Sequence, residues 1–228
     1  MRSAMSKPQQ SAGKCHLCGA IVGRTSMAGH LNACSQPEAS RLPPATGKQV
    51  SGPSFHLVIE GRDAKAYWMH AAVPVTAPLS KLDRFLRDTW LECCGHLSAF
   101  EIGSNRYASS PTQGEMSMRV PLSRVLEKGS KFSYEYDYGS TTALTLKVVA
   151  LREPSTPSGA IQLLAANVAP QVSCQRCGNR AATQVCTECA WNGEGWLCEA
   201  CVDEHECGSE MCLPVVNSPR VGVCGYTG

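Results

Sequence analysis

Twelve cysteine and histidine residues are spaced as zinc ligands usually are. The chain has 14 cysteines, most of them in C-x2-C pairs, in which two thiolates can hold one ion on a tight turn. The first set of ligands is Cys15, Cys18, His30 and Cys34. The last two are separated by three residues, so on a helix they share one face and complete a tetrahedral zinc site. A segment this short has no sufficient core, so the metal would supply its stability.

A second, denser set lies near the other end of the chain. Its eight ligands form four pairs, and the loops between them are too short to hold a hydrophobic core, which predicts two more zinc ions, about three per chain in total. Four protein ligands leave no open position for water or substrate, so these sites are predicted to be structural. The ligands are Cys174, Cys177, Cys186, Cys189, Cys198, Cys201, His205 and Cys207.

This second set resembles cross-braced modules such as B-box and MYND fingers, in which alternate pairs share an ion. The resemblance implies that the first and third pairs bind one zinc ion and the second and fourth pairs bind the other. The fourth pair departs from the usual spacing of these families, so Cys212 or Cys224 could replace Cys207. Such modules usually present a groove to peptides, and Trp191 and Trp196 either offer apolar contact surface or pack over the metal knuckles.

The ligand spacing of the N-terminal finger does not decide its partner. It is similar to that of type-4 ubiquitin-binding fingers and of small C2HC fingers that bind nucleic acid or cap a domain. Lys14 and Arg24 would give it a positive surface. Contact with protein, contact with nucleic acid and a structural cap all stay open. In the C-terminal tail, Arg220 could line a binding surface or satisfy its own backbone.

Candidate catalytic groups are sparse. The sequence contains no Ser-His-Asp set, phosphate-binding glycine loop or G-x-S-x-G turn, so no catalytic residue is assigned. His96 and Asp137 are the candidates for a pocket in the central part of the chain. Cys93 and Cys94 are expected to point in different directions at the end of a helix, and neither a disulfide nor a metal is expected there.

The charge is distributed unevenly along the chain. The net charge is +2, but residues 1–50 carry +5, residues 51–153 carry +1 and residues 154–228 carry −4. Nucleic acids are bound chiefly through Lys and Arg, so the C-terminal part is a poor candidate for that role. No apolar run is long enough for a membrane span or a secretory signal, which predicts a cytoplasmic protein without a membrane partner.

The elements that must position these ligands indicate an α+β fold, a central antiparallel sheet with one main helix, flanked by small zinc-stabilised modules. Hydrophobic residues at three- and four-residue spacing predict the helix over 79–94. Alternation predicts strands over 55–60, 64–73, 98–102, 105–108, 131–137 and 144–151, and a helical turn is predicted over 121–128. The predicted division is a disordered segment 1–13, the finger 14–36, a linker 37–54, the α+β domain 55–153, a linker and bridge 154–170, and the cysteine-rich module with an ordered tail 171–228.

The central domain resembles a known family. The segments Gly95-His96-Leu97-Ser98-Ala99-Phe100-Glu101-Ile102, Pro121-Leu122 through Gly129, and Phe132-Ser133-Tyr134-Glu135-Tyr136-Asp137-Tyr138-Gly139 look like the plasmid pRiA4b ORF-3-like family. The resemblance implies a compact α+β fold with strands curving around a helix, and members are often labelled passenger proteins of insertion elements. It implies no biochemical role. The family often has His-Leu-His and Gly-Asp where this chain has Ser98 and Ser140, so no catalytic role is carried over.

These observations favour a zinc-binding adaptor or regulatory protein of mobile-element or phage origin that acts through protein partners. The alternatives are a nucleic-acid-binding protein that uses the basic finger, and an enzyme with a pocket in the central domain.

Overall fold

The fold is seen in a computed structural model that describes residues 11–34, 52–153 and 159–228. The strands are β1 (Ala12–Cys15), β2 (Ile21–Gly23), β3 (Ser54–Gly61), β4 (Trp68–Pro74), β5 (Ser98–Ile102), β6 (Asn105–Ala108), β7 (Met116–Ser117), β8 (Lys131–Tyr136), β9 (Thr142–Arg152), β10 (Gln162–Asn167), β11 (Gln184–Cys186), β12 (Trp196–Leu197) and β13 (Cys212–Pro214). The α-helices are α1 (Arg24–Ala33), α2 (Leu79–Leu86), α3 (Thr187–Ala190) and α4 (Glu199–Val202). Short 3-10 turns span Leu122–Arg124 and Ser209–Met211.

Ten strands form one sheet in the order β2-β1-β10-β4-β3-β9-β8-β5-β6-β7. Every neighbouring pair is antiparallel except β6 and β7. The hairpin of the N-terminal finger is thus part of the main sheet, because β1 pairs with β10 and β10 pairs with β4. The predicted α+β class is confirmed.

Helix α2 covers one face of the sheet, and its apolar stripe explains why. Leu79, Leu82 and Leu86 are fully buried against the side chains of β3, β4 and β9, which is the burial that the three- and four-residue spacing predicts. Asp83 lies on the same buried side, where its Oδ1 atom accepts hydrogen bonds from Ser98 Oγ (2.6 Å) and Tyr134 OH (2.8 Å). These bonds fix the helix on the sheet.

The predicted helix is shorter and less regular than expected. It is α-helical only to Leu86 and continues as a π-helical turn over Arg87–Leu91. The backbone N–H of Glu92 still donates to the carbonyl of Arg87 (2.9 Å), and the chain then leaves the helix. Cys93 and Cys94 therefore lie in the bend after the helix and not on it.

The finger helix α1 covers part of the opposite face of the sheet. Met27 and Leu31 are fully buried with Trp68 and Leu164. The indole of Trp68 packs directly against β1 at Gly13, because this residue has no side chain. A Cβ atom at Gly13 would lie 2.2 Å from the indole. The miniature core of the finger is therefore shared with the sheet and is not an independent unit.

Two buried histidines lie on this same face of the sheet. His56 in β3 and His70 in β4 are 0% and 2% exposed, and His56 Nε2 is 2.8 Å from His70 Nδ1. Burial lowers the pKa of His56 to about 3 and that of His70 to about 4, so both imidazoles are neutral at neutral pH.

The C-terminal part is built on the three-stranded sheet β12-β11-β13, and its tail returns to the main sheet. Asn217 and Asn167 bond to each other, with Asn167 Nδ2 donating to Asn217 Oδ1 (2.7 Å) and Asn217 Nδ2 donating to the Asn167 carbonyl (3.0 Å). Ser218 Oγ donates to the carbonyl of Trp90 at the end of the π-helical turn (2.6 Å). The tail therefore packs against the body.

Most predicted elements are present, with shifted ends. The hairpin 98–102 and 105–108 has the predicted bounds. The predicted turn 121–128 contains only a 3-10 turn, and the predicted linker and bridge 154–170 contains strand β10 (Gln162–Asn167). Ala12 and Gly13, predicted to be disordered, belong to β1, whereas residues 1–10 and most of the linker 37–54 lie outside the described residues. None of the helices in the described ranges has the length and apolar content that a bilayer crossing requires.

Candidate metal centres

Four groups of cysteine and histidine side chains bring their ligand atoms within 4.8 Å of one another. Three of them consist of predicted ligands, and the fourth was not predicted. The groups are Cys15, Cys18, His30 and Cys34; Cys174, Cys177, Cys198 and Cys201; Cys186, Cys189, His205 and Cys207; and Cys93, Cys94, His96 and Cys224. Each group could hold a metal ion.

The N-terminal group is formed where the hairpin meets helix α1. Cys15 ends β1, and the backbone closes a turn in which its N–H donates to the Ala20 carbonyl (2.9 Å) and Gly19, at φ +80°, donates to the Cys15 carbonyl (2.8 Å). His30 lies in the last turn of α1, and Cys34 caps that helix. The turn and the helix end therefore supply two ligands each.

The two C-terminal groups alternate along the chain. The first and third C-x2-C pairs form one group, and the second pair joins His205 and Cys207 in the other. Gly195, at φ +83°, passes so close to the second group that a Cβ atom there would lie 2.7 Å from the Cβ of Cys189. Only glycine fits at this point, which lets the loop between β11 and β12 close over the cysteines.

The spacing of the atoms fits tetrahedral zinc. With Zn–S bonds of about 2.3 Å and Zn–N bonds of about 2.05 Å, the tetrahedron has S···S edges of about 3.8 Å and S···N edges of about 3.6 Å. The Sγ atoms of Cys15 and Cys34 are 3.9 Å apart, and those of Cys177 and Cys198 are 3.8 Å apart. His205 Nε2 lies 3.5 Å from the Sγ atom of Cys189. Donor sets of three cysteines with one histidine, or of four cysteines, are those of structural zinc sites.

Backbone N–H groups and neighbouring thiols shift the pKa values of several of these cysteines. In the N-terminal group, the backbone N–H of Ala20 is the largest influence that lowers the pKa of Cys18, to about 7, whereas burial and the neighbouring thiols raise the pKa of Cys34 to about 12. In the first C-terminal group, the backbone N–H of Cys177 lowers the pKa of Cys174 to about 6. One thiolate thus forms readily and opposes the ionisation of the others, and a bound divalent cation would remove this repulsion.

The two alternative ligands lie elsewhere. Cys212 belongs to none of the four groups. Burial is the main cause that raises the pKa of the Cys212 thiol, and the nearby Cys186 raises it further. Cys224 lies 3.8 Å from the Sγ atom of Cys94, in the fourth group. Three cysteines were candidates for the eighth C-terminal ligand, and the structure brings Cys207 to the group of Cys186, Cys189 and His205. The Sγ atom of Cys207 is 3.8 Å from that of Cys189.

The residues of the predicted binding surface have different environments. Lys14 is exposed on β1, Trp196 is half-buried on β12, and Trp191 has 68% of its surface exposed. Arg24 contacts the main sheet, where its Nη2 atom is 2.5 Å from Glu60 Oε1 and its Nη1 atom donates to the Lys65 carbonyl (2.9 Å).

Arg220 does not belong to a binding surface, because its side chain is fully buried. The sequence left Arg220 either on a binding surface or bonded to its own backbone. Here its Nη2 atom is 2.8 Å from Asp137 Oδ2, and its Nη1 atom donates to Thr142 Oγ1 (3.0 Å) and to the Ser140 carbonyl (3.1 Å). The buried carboxylate of Asp137 offsets its charge.

The candidate pocket residues His96 and Asp137 are neighbours, with His96 Nε2 3.5 Å from Asp137 Oδ2. The expectation that Cys93 and Cys94 point apart is wrong, since their Sγ atoms are only 3.7 Å apart. The local sequence Cys93-Cys94-x-His96 was a signal for this group. The assumption that both cysteines lie on a helix concealed it, and its fourth member Cys224 lies 128 residues beyond His96.

Comparison with known proteins identifies the family and little else. No curated protein matches the sequence. Among solved structures, the chain is similar to a protein of unknown function, MM3350, from Methanosarcina mazei Go1, with 16% identity, a TM-score of 0.42, and coverage of 50% of this chain and 67% of that chain. The sequence model described as plasmid pRiA4b ORF-3-like protein matches residues 55–178. The match begins at the predicted start of the α+β domain and extends beyond its predicted end at residue 153, through β10 to the first C-terminal knuckle. Because it spans more than half of the 228 residues, the chain belongs to the plasmid pRiA4b ORF-3-like protein family.

Proposed function

We propose that this protein is a zinc-binding adaptor or regulatory protein that acts by binding a protein partner. The observation that carries the proposal is the composition of the three predicted metal groups, each of which offers four protein ligands to one ion. Zinc held by four protein ligands has no open position for water or substrate, so it stabilises a fold and does not act as a Lewis acid. The name of the family, which refers to a plasmid, supports an origin in a mobile element.

The C-terminal module offers the best surface for a partner. Trp191, at 68% exposure, stands on the loop that also supplies Glu194 to a cleft, which borders the metal ligands Cys189, His205 and Cys207. Exposed tryptophans are frequent anchors of protein interfaces. Trp191 therefore supports the apolar contact surface, in preference to packing over the metal knuckles.

The cleft beside this loop is acidic. Its charged lining consists of Glu194, Glu204, Glu206 and Arg176. The positive charge of Arg176 is neutralised within the module, because its Nη2 atom is 2.6 Å from Glu204 Oε2. The partner that fits this surface is a peptide segment with both basic and apolar side chains, since electrostatic complementarity selects the opposite charge.

Binding of nucleic acid through the finger has less support. Of the two basic residues assigned to its surface, Arg24 is engaged by Glu60 and by the Lys65 carbonyl, which leaves Lys14 exposed. If the finger does bind nucleic acid, affinity must fall steeply with salt and must weaken in Lys14→Ala, which removes the exposed basic side chain without touching the shared core.

The test compares proteins recovered on the immobilised full-length chain with those recovered on two variants. Trp191→Ala removes the exposed anchor, and Met116→Ala, which truncates an apolar side chain exposed to 47% at the far edge of the main sheet, is the matched control. We expect at least one protein to be lost with Trp191→Ala and retained with Met116→Ala, and its binding to weaken as salt rises. Identical recovery on all three proteins would contradict the proposal.

A further inference from the structure

We propose that Cys93, Cys94, His96 and Cys224 form a fourth zinc site, which fastens the C-terminal tail to the central sheet. Their four ligand atoms lie within 4.8 Å of one another, as in the other three groups. The donor set is three thiols and one imidazole, the same as in the N-terminal finger, and it suits a thiophilic ion of tetrahedral preference.

Three of the distances between ligand atoms agree with the edges of a zinc tetrahedron. The Sγ atoms of Cys93 and Cys94 are 3.7 Å apart, and those of Cys94 and Cys224 are 3.8 Å apart. His96 Nε2 lies 3.6 Å from Cys224 Sγ. The Cys94 Sγ to His96 Nε2 distance of 2.9 Å is shorter than the edge of about 3.6 Å that zinc requires. Cys94 is exposed, so rotation of its side chain can lengthen this edge.

The turn that carries three of the ligands is held in place by hydrogen bonds to Glu92 and Tyr136. Glu92 Oε1 accepts hydrogen bonds from the backbone N–H of Gly95 (2.6 Å) and from Tyr136 OH (3.0 Å). The Tyr136 hydroxyl in turn accepts from the backbone N–H of His96 (3.3 Å). Gly95 adopts φ +81°, a left-handed conformation that favours glycine and brings His96 back toward the two cysteines.

The charges around the group also suit an anionic metal complex. Zinc with three thiolates and a neutral imidazole carries a net charge of −1, and Arg220 Nη2 lies 3.4 Å from Cys93 Sγ. A donor that contacts a ligand atom in this way orients the thiolate and stabilises its charge. The same Nη2 atom is 2.8 Å from Asp137 Oδ2, which holds the guanidinium at the edge of the group.

Backbone conformation points to the same place. Among the described residues other than glycine, positive φ occurs only at Asp137 (+66°) and Cys224 (+55°). Such conformations cost free energy and persist where the surroundings fix them, often at functional sites. Cys224 belongs to the group and Asp137 is in contact with it.

The site would act as a fastening and not as a catalyst, because its four positions are filled by protein ligands. Cys224 comes from the tail, 130 residues beyond Cys94, so one ion would close a very long loop. Cys94 and Cys224 are exposed, which makes this the most accessible of the four groups to chelators and oxidants.

The test is elemental analysis of the full-length protein, purified with reductant and zinc, together with alkylation of its accessible cysteines. Cys224→Ser removes one ligand, and Cys212→Ser is the matched control because Cys212 is the cysteine outside all four groups. We expect four zinc ions in the wild type, three in Cys224→Ser and four in Cys212→Ser. Alkylation should increase at Cys93 and Cys94 in the Cys224→Ser variant alone.

A count of three zinc ions in the wild type would overturn the fourth site, and so would the same count of ions in Cys224→Ser as in the wild type. Either outcome would leave the proposed function intact. A disulfide between Cys94 and Cys224 in the reduced preparation would overturn it as well. If Cys224→Ser does not fold, Cys94→Ser at the exposed turn replaces it, with the same expected loss of one ion. Failure of the proposed function would be seen separately, as partner recovery that does not depend on Trp191.

Discussion

The buried pair His56 and His70 predicts that this protein loses stability in mild acid through a specific histidine. We consider the substitution His56→Gln, whose side-chain amide can still form a hydrogen bond with His70 Nδ1 but does not titrate. Burial, and after it the nearby charges of His70 and Arg152, lower the pKa of His56 to about 3 from an ordinary value of 6.5. The unfolded chain therefore binds this proton at a higher pH than the folded chain.

The sign and size of the effect follow from proton linkage. The contribution of His56 to the free energy of unfolding is fully present above pH 6.5 and decreases as the pH falls below that value. The loss is complete below about pH 3. At pH 5 the unfolded histidine is almost fully protonated and the folded one is neutral, which corresponds to a loss of about 2 kcal/mol from His56. His56→Gln removes this contribution, whereas that of His70 remains.

The assay is urea unfolding of the wild type and of His56→Gln at pH 8 and pH 5. Acid also releases zinc, but it does so in both proteins, so the difference between their pH dependences isolates the histidine. We expect the wild type to lose about 2 kcal/mol more than the variant between the two pH values. Equal losses would refute the assignment of a neutral, buried His56.

Three further predictions concern the shared core, the buried ion pair and the metals. Leu31→Ala should destabilise the whole protein by about 2–5 kcal/mol in urea unfolding, because Leu31 is fully buried. Ile21→Ala, at an exposed position, should destabilise it by less than about 0.5 kcal/mol. An unchanged main transition for Leu31→Ala would show that the finger is independent. Asp137→Asn removes the carboxylate that pairs with the buried Arg220 and should cost about 3–5 kcal/mol in the same assay, whereas Asp63→Asn, at a carboxylate exposed to 86%, should cost almost nothing. Similar costs for both substitutions would contradict the role of burial. A strong zinc chelator should abolish the NMR dispersion of the C-terminal sheet first, because its buried cluster consists mainly of cysteines; retention of native dispersion in the metal-free protein would refute this.

Local patterns in the sequence predicted the elements that depend on near neighbours. The stripe Leu79, Leu82 and Leu86 identified the helix that covers the sheet, and the hairpin of β5 and β6 was placed residue for residue. The C-x2-C spacing identified the C-terminal knuckles, because each is a local turn, and the resemblance to cross-braced modules implied the grouping of the knuckles that the structure shows.

Features that depend on distant contacts were not predicted. Nothing in residues 12–15 or 162–167 indicates that these two strands pair, since each is too short for a clear alternation. The burial of Arg220 depends on Asp137, which lies 83 residues earlier in the chain, and the fourth group depends on a similar return of the tail. Spacing rules describe ligands that are close in sequence, so a group assembled by tertiary packing is invisible to them.

The position of β10 between β1 and β4 has a consequence for how the chain folds. Strand β1 can join the main sheet only after residues 162–167 have been synthesised. The four ligands of the finger are complete once Cys34 has been synthesised, but Met27 and Leu31 are buried only when the finger docks onto Trp68. This docking is therefore one of the late, long-range steps that make strand-rich topologies slow to form.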